Sequence, residues 1–132
     1  MKICLGITRL KKDLTEAISK NFYNLSEELA KDNNVTILSP ITIEAKTKSN
    51  TIIYSKDHSY ENKKMVLTNI KKLCNFINEN HEKFDVIHIH AGFLLEAYLI
   101  DKALKKINTP IYITIWQPYL GHKEFMKNFK FV

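Results

Sequence analysis

The sequence predicts an α/β domain: a parallel sheet of about five strands with helices on both faces. Three observations predict it. Short apolar runs alternate with longer stretches of helical periodicity along the 132 residues, the order expected of right-handed crossovers. The first run, Lys2-Ile3-Cys4-Leu5-Gly6-Ile7, is nearly continuously apolar, as suits a strand buried on both faces. The run Asp85-Val86-Ile87-His88-Ile89-His90 ends in Ala91-Gly92, which puts polar side chains where open α/β sheets hold their ligands.

Strand one covers Lys2 to Ile7. A helix follows from about Leu14 to Lys31, with Leu14, Ile18, Phe22, Leu25 and Leu29 forming one apolar stripe. Asp13, with Glu16 three residues on, supplies its amino-terminal cap. Asp32-Asn33-Asn34 offers residues that tolerate left-handed backbone at its other end. Strand two, Val35 to Leu38, is stopped by Ser39-Pro40, and residues 41–50 read as a polar loop with some extended character. Thr51 to Tyr54 is a third strand by its β-branching and short apolar length, and residues 55–62 are turn-like.

A second helix runs from about Glu61 to Asn80, with Val66, Ile70, Leu73, Cys74 and Ile77 on one face. Strand four is Asp85 to His90. The third helix, about Phe93 to Ile107, buries Leu95, Tyr98, Leu99 and Ala103 and ends before Asn108-Thr109-Pro110. Strand five is Ile111 to Trp116, closed by Gln117-Pro118. Tyr119 to Val132 reads as a short helix and the first residues of another strand. This succession implies the strand order 3-2-1-4-5, one Rossmann-like half and the beginning of a second.

Composition narrows the function. The 45% hydrophobic content is globular, and no run approaches the roughly 18 apolar residues of a membrane span. The amino terminus enters a strand directly, without a signal-peptide profile, so a cytoplasmic protein is expected, with at most peripheral membrane contact. The formal charge of +6 is scattered over lysine pairs interleaved with acids, with no aromatic-basic platform. Nucleic-acid binding is therefore not expected. Cys4 and Cys74 lack metal-ligand spacing and read as small buried hydrophobes.

Three strand ends can carry chemistry. After strand one, Gly6-Ile7-Thr8-Arg9-Leu10-Lys11-Lys12-Asp13 has one glycine and no Gly-Lys-Ser/Thr, so no dinucleotide or nucleotide cofactor is expected there. Arg9 either holds a polar or anionic group near the helix start or is a solvated loop residue. His88 and His90 share one side of strand four but lack a third ligand, so no metal is expected. His88 reads as a satisfied hydrogen bonder. His90, at the strand tip, can meet a substrate hydroxyl or shuttle a proton near neutral pH. Gly92 lets a backbone N–H at the start of helix three approach a ligand. Trp116 and Gln117 close strand five beside that position, the indole either stacking on a sugar ring or forming a rigid wall.

These residues resemble a known family. Phe22-Tyr23-Asn24-Leu25-Ser26-Glu27-Glu28-Leu29-Ala30-Lys31, running into Asn34-Val35-Thr36-Ile37-Leu38-Ser39-Pro40, is similar to the first helix and second strand of family 4 glycosyltransferases. Asp85 to Gly92 resembles that family's Asp-Val-(apolar)-His-x-His stretch, and Pro110 to Trp116 its next strand. The resemblance implies a GT-B architecture, in which residues 1–132 form part of the amino-terminal, acceptor-side domain. It also implies a retaining reaction with a nucleotide-sugar donor bound by a second domain, which this chain lacks. Arg9, His90 and Gly92 then line the cleft.

Two departures stand out: the loop after strand one lacks the usual glycine pair, and Trp116 replaces a histidine at the tip of strand five. The expectation is thus an acceptor-side portion, inactive alone, that holds a sugar or lipid-linked acceptor and cooperates with a donor-domain chain. A non-catalytic binding module is the alternative. A flavodoxin-like or receiver-like domain is disfavoured by the absence of an acidic cluster after strand one. Phe125, Phe129 and Phe131 carry enough apolar area, at ~25 cal/mol per Å², to predict association with a second chain or a second copy through the carboxy-terminal side.

Overall fold

A computed structural model describes residues 1–55 and 63–117 of the chain. The five strands are β1 (Lys2–Ile7), β2 (Asn34–Ser39), β3 (Asn50–Ile53), β4 (Val86–Ala91) and β5 (Ile111–Ile115). The helices are α1 (Ala17–Leu29), α2 (Lys63–Asn80) and α3 (Leu94–Ala103). All neighbouring strands pair in parallel, in the order β3-β2-β1-β4-β5. This is the Rossmann-like arrangement the sequence predicts.

Handedness decides which face each connection covers. β1 to β2 and β2 to β3 step toward one edge of the sheet, whereas β3 to β4 and β4 to β5 step toward the other. Right-handed crossovers therefore place α1 on one face and α2 and α3 on the opposite one. The core divides accordingly. Phe22 of α1 packs with Ile3, Leu5, Ile7, Val35 and Ile37, joined by Ile41 of the helix-free link between β2 and β3. On the other side Leu73 and Ile77 of α2 meet Cys4, Leu38, Ile87, Ile89 and Ile100. The link after β2 is tied to α1 by the Tyr23 hydroxyl, which donates to the Lys46 carbonyl at 2.5 Å, and by Glu27, which accepts from Thr47 and from the Lys48 amide.

Four local expectations need correction. Asp13 does not cap α1: its carboxylate accepts from the amide and hydroxyl of Thr15, closing a turn in which Leu14 takes φ 58°. The helix accordingly starts three residues later than its apolar stripe suggests, capped by Glu16 through the amide of Ile18. At its far end no residue turns left-handed; the Asn33 side-chain amide instead donates to the Leu29 carbonyl. On α3 the inward stripe is displaced, burying Leu95, Glu96, Ala97 and Ile100 while leaving Tyr98 59% exposed and Ala103 at the surface. A short 3-10 turn, His81–Lys83, also separates α2 from β4.

Both cysteines are buried and unpaired, and burial pushes their thiols up to about 12 for Cys4 and about 11 for Cys74. Among the described residues no helix is long and apolar enough to cross a membrane. The tail from Tyr119 to Val132, with its expected helix and association surface, lies outside the described residues.

Phe22 is fully buried beneath the α1 side of the sheet, so Phe22→Ala leaves a cavity as well as losing transfer energy. A loss of about 3–5 kcal/mol is expected from urea unfolding followed by circular dichroism. A change below about 1 kcal/mol would mean that α1 is not packed as described.

Candidate functional site

The carboxyl ends of β1, β4 and β5 converge on one cavity of about 270 Å³, which Arg9, His90, Gly92, Trp116 and Gln117 all line. Backbone bonds bring them together. The Thr8 amide donates to the His90 carbonyl at 3.2 Å, and the amides of Trp116 and Gln117 donate to the carbonyls of Ala91 and Gly92 at 3.0 Å each. The ladder thus extends past the strand ends and holds the three loops in one register. Among the described residues, no group of three His, Cys, Asp or Glu side chains is close enough to hold a metal ion.

Sequence reasoning missed the residue that organises the site, Glu96. It sits in the first turn of α3 and is fully buried. One oxygen accepts from the Thr8 hydroxyl at 2.8 Å and from the Gly92 amide at 3.4 Å; the other takes the Arg9 guanidinium at 2.5 Å. This is a capping-box geometry displaced by one residue, since the carboxylate reaches back past Phe93 to Gly92. The only signal in the sequence was a Glu four residues after Gly92 at the start of a helix, a spacing shared by many solvated first-turn acids.

Glu96 also explains why position 92 is glycine. A Cβ there would lie 3.0 Å from Glu96 Oε2 and 3.2 Å from Arg9 Nε and Nη2. The glycine admits the chain's own ion pair, and its amide is already engaged by Glu96. The expectation that this amide meets a ligand is corrected accordingly. Arg9 is neither freely solvated nor a free cation: besides its pair with Glu96, its guanidinium lies 4.9 Å from the centre of the Phe93 ring. Its Nε is buried and has no hydrogen-bond partner.

His90 is fixed as firmly. The Trp116 indole N–H donates to His90 Nδ1 at 3.0 Å, and the two rings stack at 5.6 Å. An indole nitrogen can only donate, so Nδ1 carries the lone pair and the neutral ring bears its proton on Nε2. Phe22 meets the ring edge-on at 5.1 Å, and His88 lies 4.4 Å away. Burial, and then the neighbouring His88, depress the His90 pKa to about 4. At neutral pH this imidazole is an uncharged donor whose other nitrogen is occupied, which replaces the proton shuttle expected from its sequence position. Its Nε2 is buried without a partner. His88 is a satisfied hydrogen bonder, as expected, with Nε2 2.7 Å from the Thr114 hydroxyl.

Two measurements test this arrangement. Glu96→Ala leaves Arg9 and Thr8 without their shared acceptor, and a loss of about 3 kcal/mol in urea unfolding is expected. For His90, the unfolded chain binds a proton below about pH 6.5, whereas the folded chain resists until about pH 4. The unfolded state therefore carries more protons between those values, and stability falls as the pH drops through that window. Lowering the pH from 7 to 4.5 is expected to cost about 2–3 kcal/mol through this group. In His90→Gln most of that pH dependence disappears, and an unchanged slope would show that His90 titrates normally.

No family model matches the chain, and no curated protein matches it. Among solved structures, the chain is similar to the C-terminal domain of a hydrogenase from Pyrococcus furiosus. The two share 14% identity at a TM-score of 0.55, covering 86% of this chain and 90% of the other. That likeness shows a shared fold.

Proposed function

We propose that this chain is the acceptor-side portion of a retaining, nucleotide-sugar-dependent glycosyltransferase, holding a sugar or the sugar end of a lipid-linked acceptor. The observation that carries the reading is the cavity at the carboxyl ends of β1, β4 and β5. It combines an aromatic wall, Trp116, with the uncharged donor His90 and the amide of Gln117. Open α/β sheets bind ligands at this end, and saccharides are held by aromatic faces together with a few placed hydrogen-bonding groups. The resemblance of Phe22–Pro40 and Asp85–Gly92 to family 4 glycosyltransferases supports the same reading.

Transfer needs a grip on the departing nucleotide diphosphate. Among the described residues, Arg9 and the Gly92 amide, which could contribute to one, are otherwise engaged, because Glu96 holds both. In this reading the nucleotide-sugar donor is held by another domain or chain. A non-catalytic binding module is the second reading. It is favoured by the Trp116 bond to His90 Nδ1, which takes up the lone pair through which that imidazole would accept a proton.

Purified protein is expected to turn over no labelled nucleotide sugar alone and to gain transfer when a donor-domain chain is added. Robust turnover by the isolated chain overturns the split-enzyme reading. Saccharide binding without transfer in any such mixture favours the binding module.

A further inference from the structure

An open α/β domain ordinarily presents helix amino termini at the ligand end of its sheet, and each is a ready anion site. Here two of them are filled from within. At α1, Glu16 Oε1 accepts from the Ile18 amide at 3.1 Å and Oε2 accepts from the Ser19 hydroxyl at 2.8 Å. At α3, Glu96 accepts from the Gly92 amide, from Thr8 and from Arg9. Glu16 and Arg9 line the cavity directly, and Glu96 neutralises Arg9. Among the described residues, the site therefore holds one guanidinium against two carboxylates, beside an uncharged His90.

We infer that this pocket selects uncharged, polyhydroxylated ligands and rejects phosphate- and carboxylate-bearing ones. The chain's own carboxylates already occupy the places where an anion would be held. What is left over suits hydroxyl groups. Arg9 Nε–H and His90 Nε2–H are buried donors without hydrogen-bond partners, on two residues that line the cavity. Glu16 and the Gln117 amide can accept, and Trp116 offers ring area. A hydroxyl both gives and takes a hydrogen bond, whereas a phosphate or carboxylate only accepts. The inference rests on the acceptor-side reading and narrows it: a lipid-linked acceptor enters with its sugar, and its phosphate stays outside.

Trp116 is the only tryptophan of the chain, so its fluorescence reports on this pocket alone. The full chain is titrated with methyl glycosides of glucose, galactose, mannose and N-acetylglucosamine, with the matching 6-phosphates, with glucuronic acid and with inorganic phosphate. At least one methyl glycoside is expected to shift the emission, with its 6-phosphate weaker by roughly tenfold, as one net charge at short range implies. Inorganic phosphate is expected to have no effect.

Glu96→Gln releases the Arg9 charge and is expected to gain phosphate binding that the parent chain lacks. Should that variant fail to fold, Glu16→Gln, which keeps a capping oxygen, is expected to narrow the gap between glycoside and sugar phosphate. Equal or tighter binding of the phosphorylated sugars by the parent chain overturns the inference and leaves the acceptor-side reading standing. No response to any saccharide, charged or not, removes both.

Discussion

A fully buried carboxylate is costly unless every part of it is matched, and Glu96 sets that requirement at the ligand end of the sheet. The matching groups come from two places: Thr8 and Arg9 beyond β1, and Gly92 beyond β4, just ahead of α3. Satisfying one acidic side chain thus fixes the exit of β1 against the exit of β4. It also fixes the orientation in which α3 sets off. The displaced stripe of α3 follows from the same demand. With Glu96 turned inward, Leu95, Ala97 and Ile100 are carried into the core, and Tyr98, three residues after Leu95, is turned out to solvent.

The second organising device is a run of rings on the α1 face of the sheet. Register pairs Leu5 with His88 and Ile7 with His90 on one side, and His88 with Tyr112 and His90 with Thr114 on the other. His88 and His90 therefore stand on the same face as Phe22, which closes on His90 from beneath. Trp116 approaches from the next loop and takes the remaining nitrogen lone pair. Burial and tautomer reinforce each other here. Removing water disfavours the charged ring, and the indole donor defines where the single proton of the neutral ring sits.

Strand order and the convergence of Arg9, His90, Gly92, Trp116 and Gln117 were legible in the sequence, because both follow from period and order of elements. A strand tip in a parallel sheet lies beside the tips of its neighbours whatever the side chains are. Glu96 and Glu16 were not legible in this way. Whether the first-turn Glu96 faces water or turns inward depends on Thr8, 88 residues away in the chain, whereas Glu16 takes the cap through its neighbours Ile18 and Ser19 because Asp13 turns to Thr15 instead. The start of α1 was misplaced for a related reason. Leu14 fits the apolar stripe and does pack with it, but the Asx turn made by Asp13 prevents its backbone from joining the helix. Hydrophobic spacing reports which side chains meet the core, not which residues have helical backbone.

The contrast between the surface and the pocket bears on how charge is read. A net +6 describes a field that acts over roughly the Debye length, about 8 Å at physiological ionic strength. Such a field raises the local concentration of any anion near the protein without choosing where one is held. Inside the cavity the balance is set by groups a few ångströms apart, where Glu96 cancels Arg9 and Glu16 adds a negative rim. At that range the effective dielectric is lower and each charge counts for several times more than a surface lysine. A basic protein can in this way carry a pocket that is not basic. The local arrangement at the ends of β1 and β4, rather than the overall charge, is what a ligand meets on arrival.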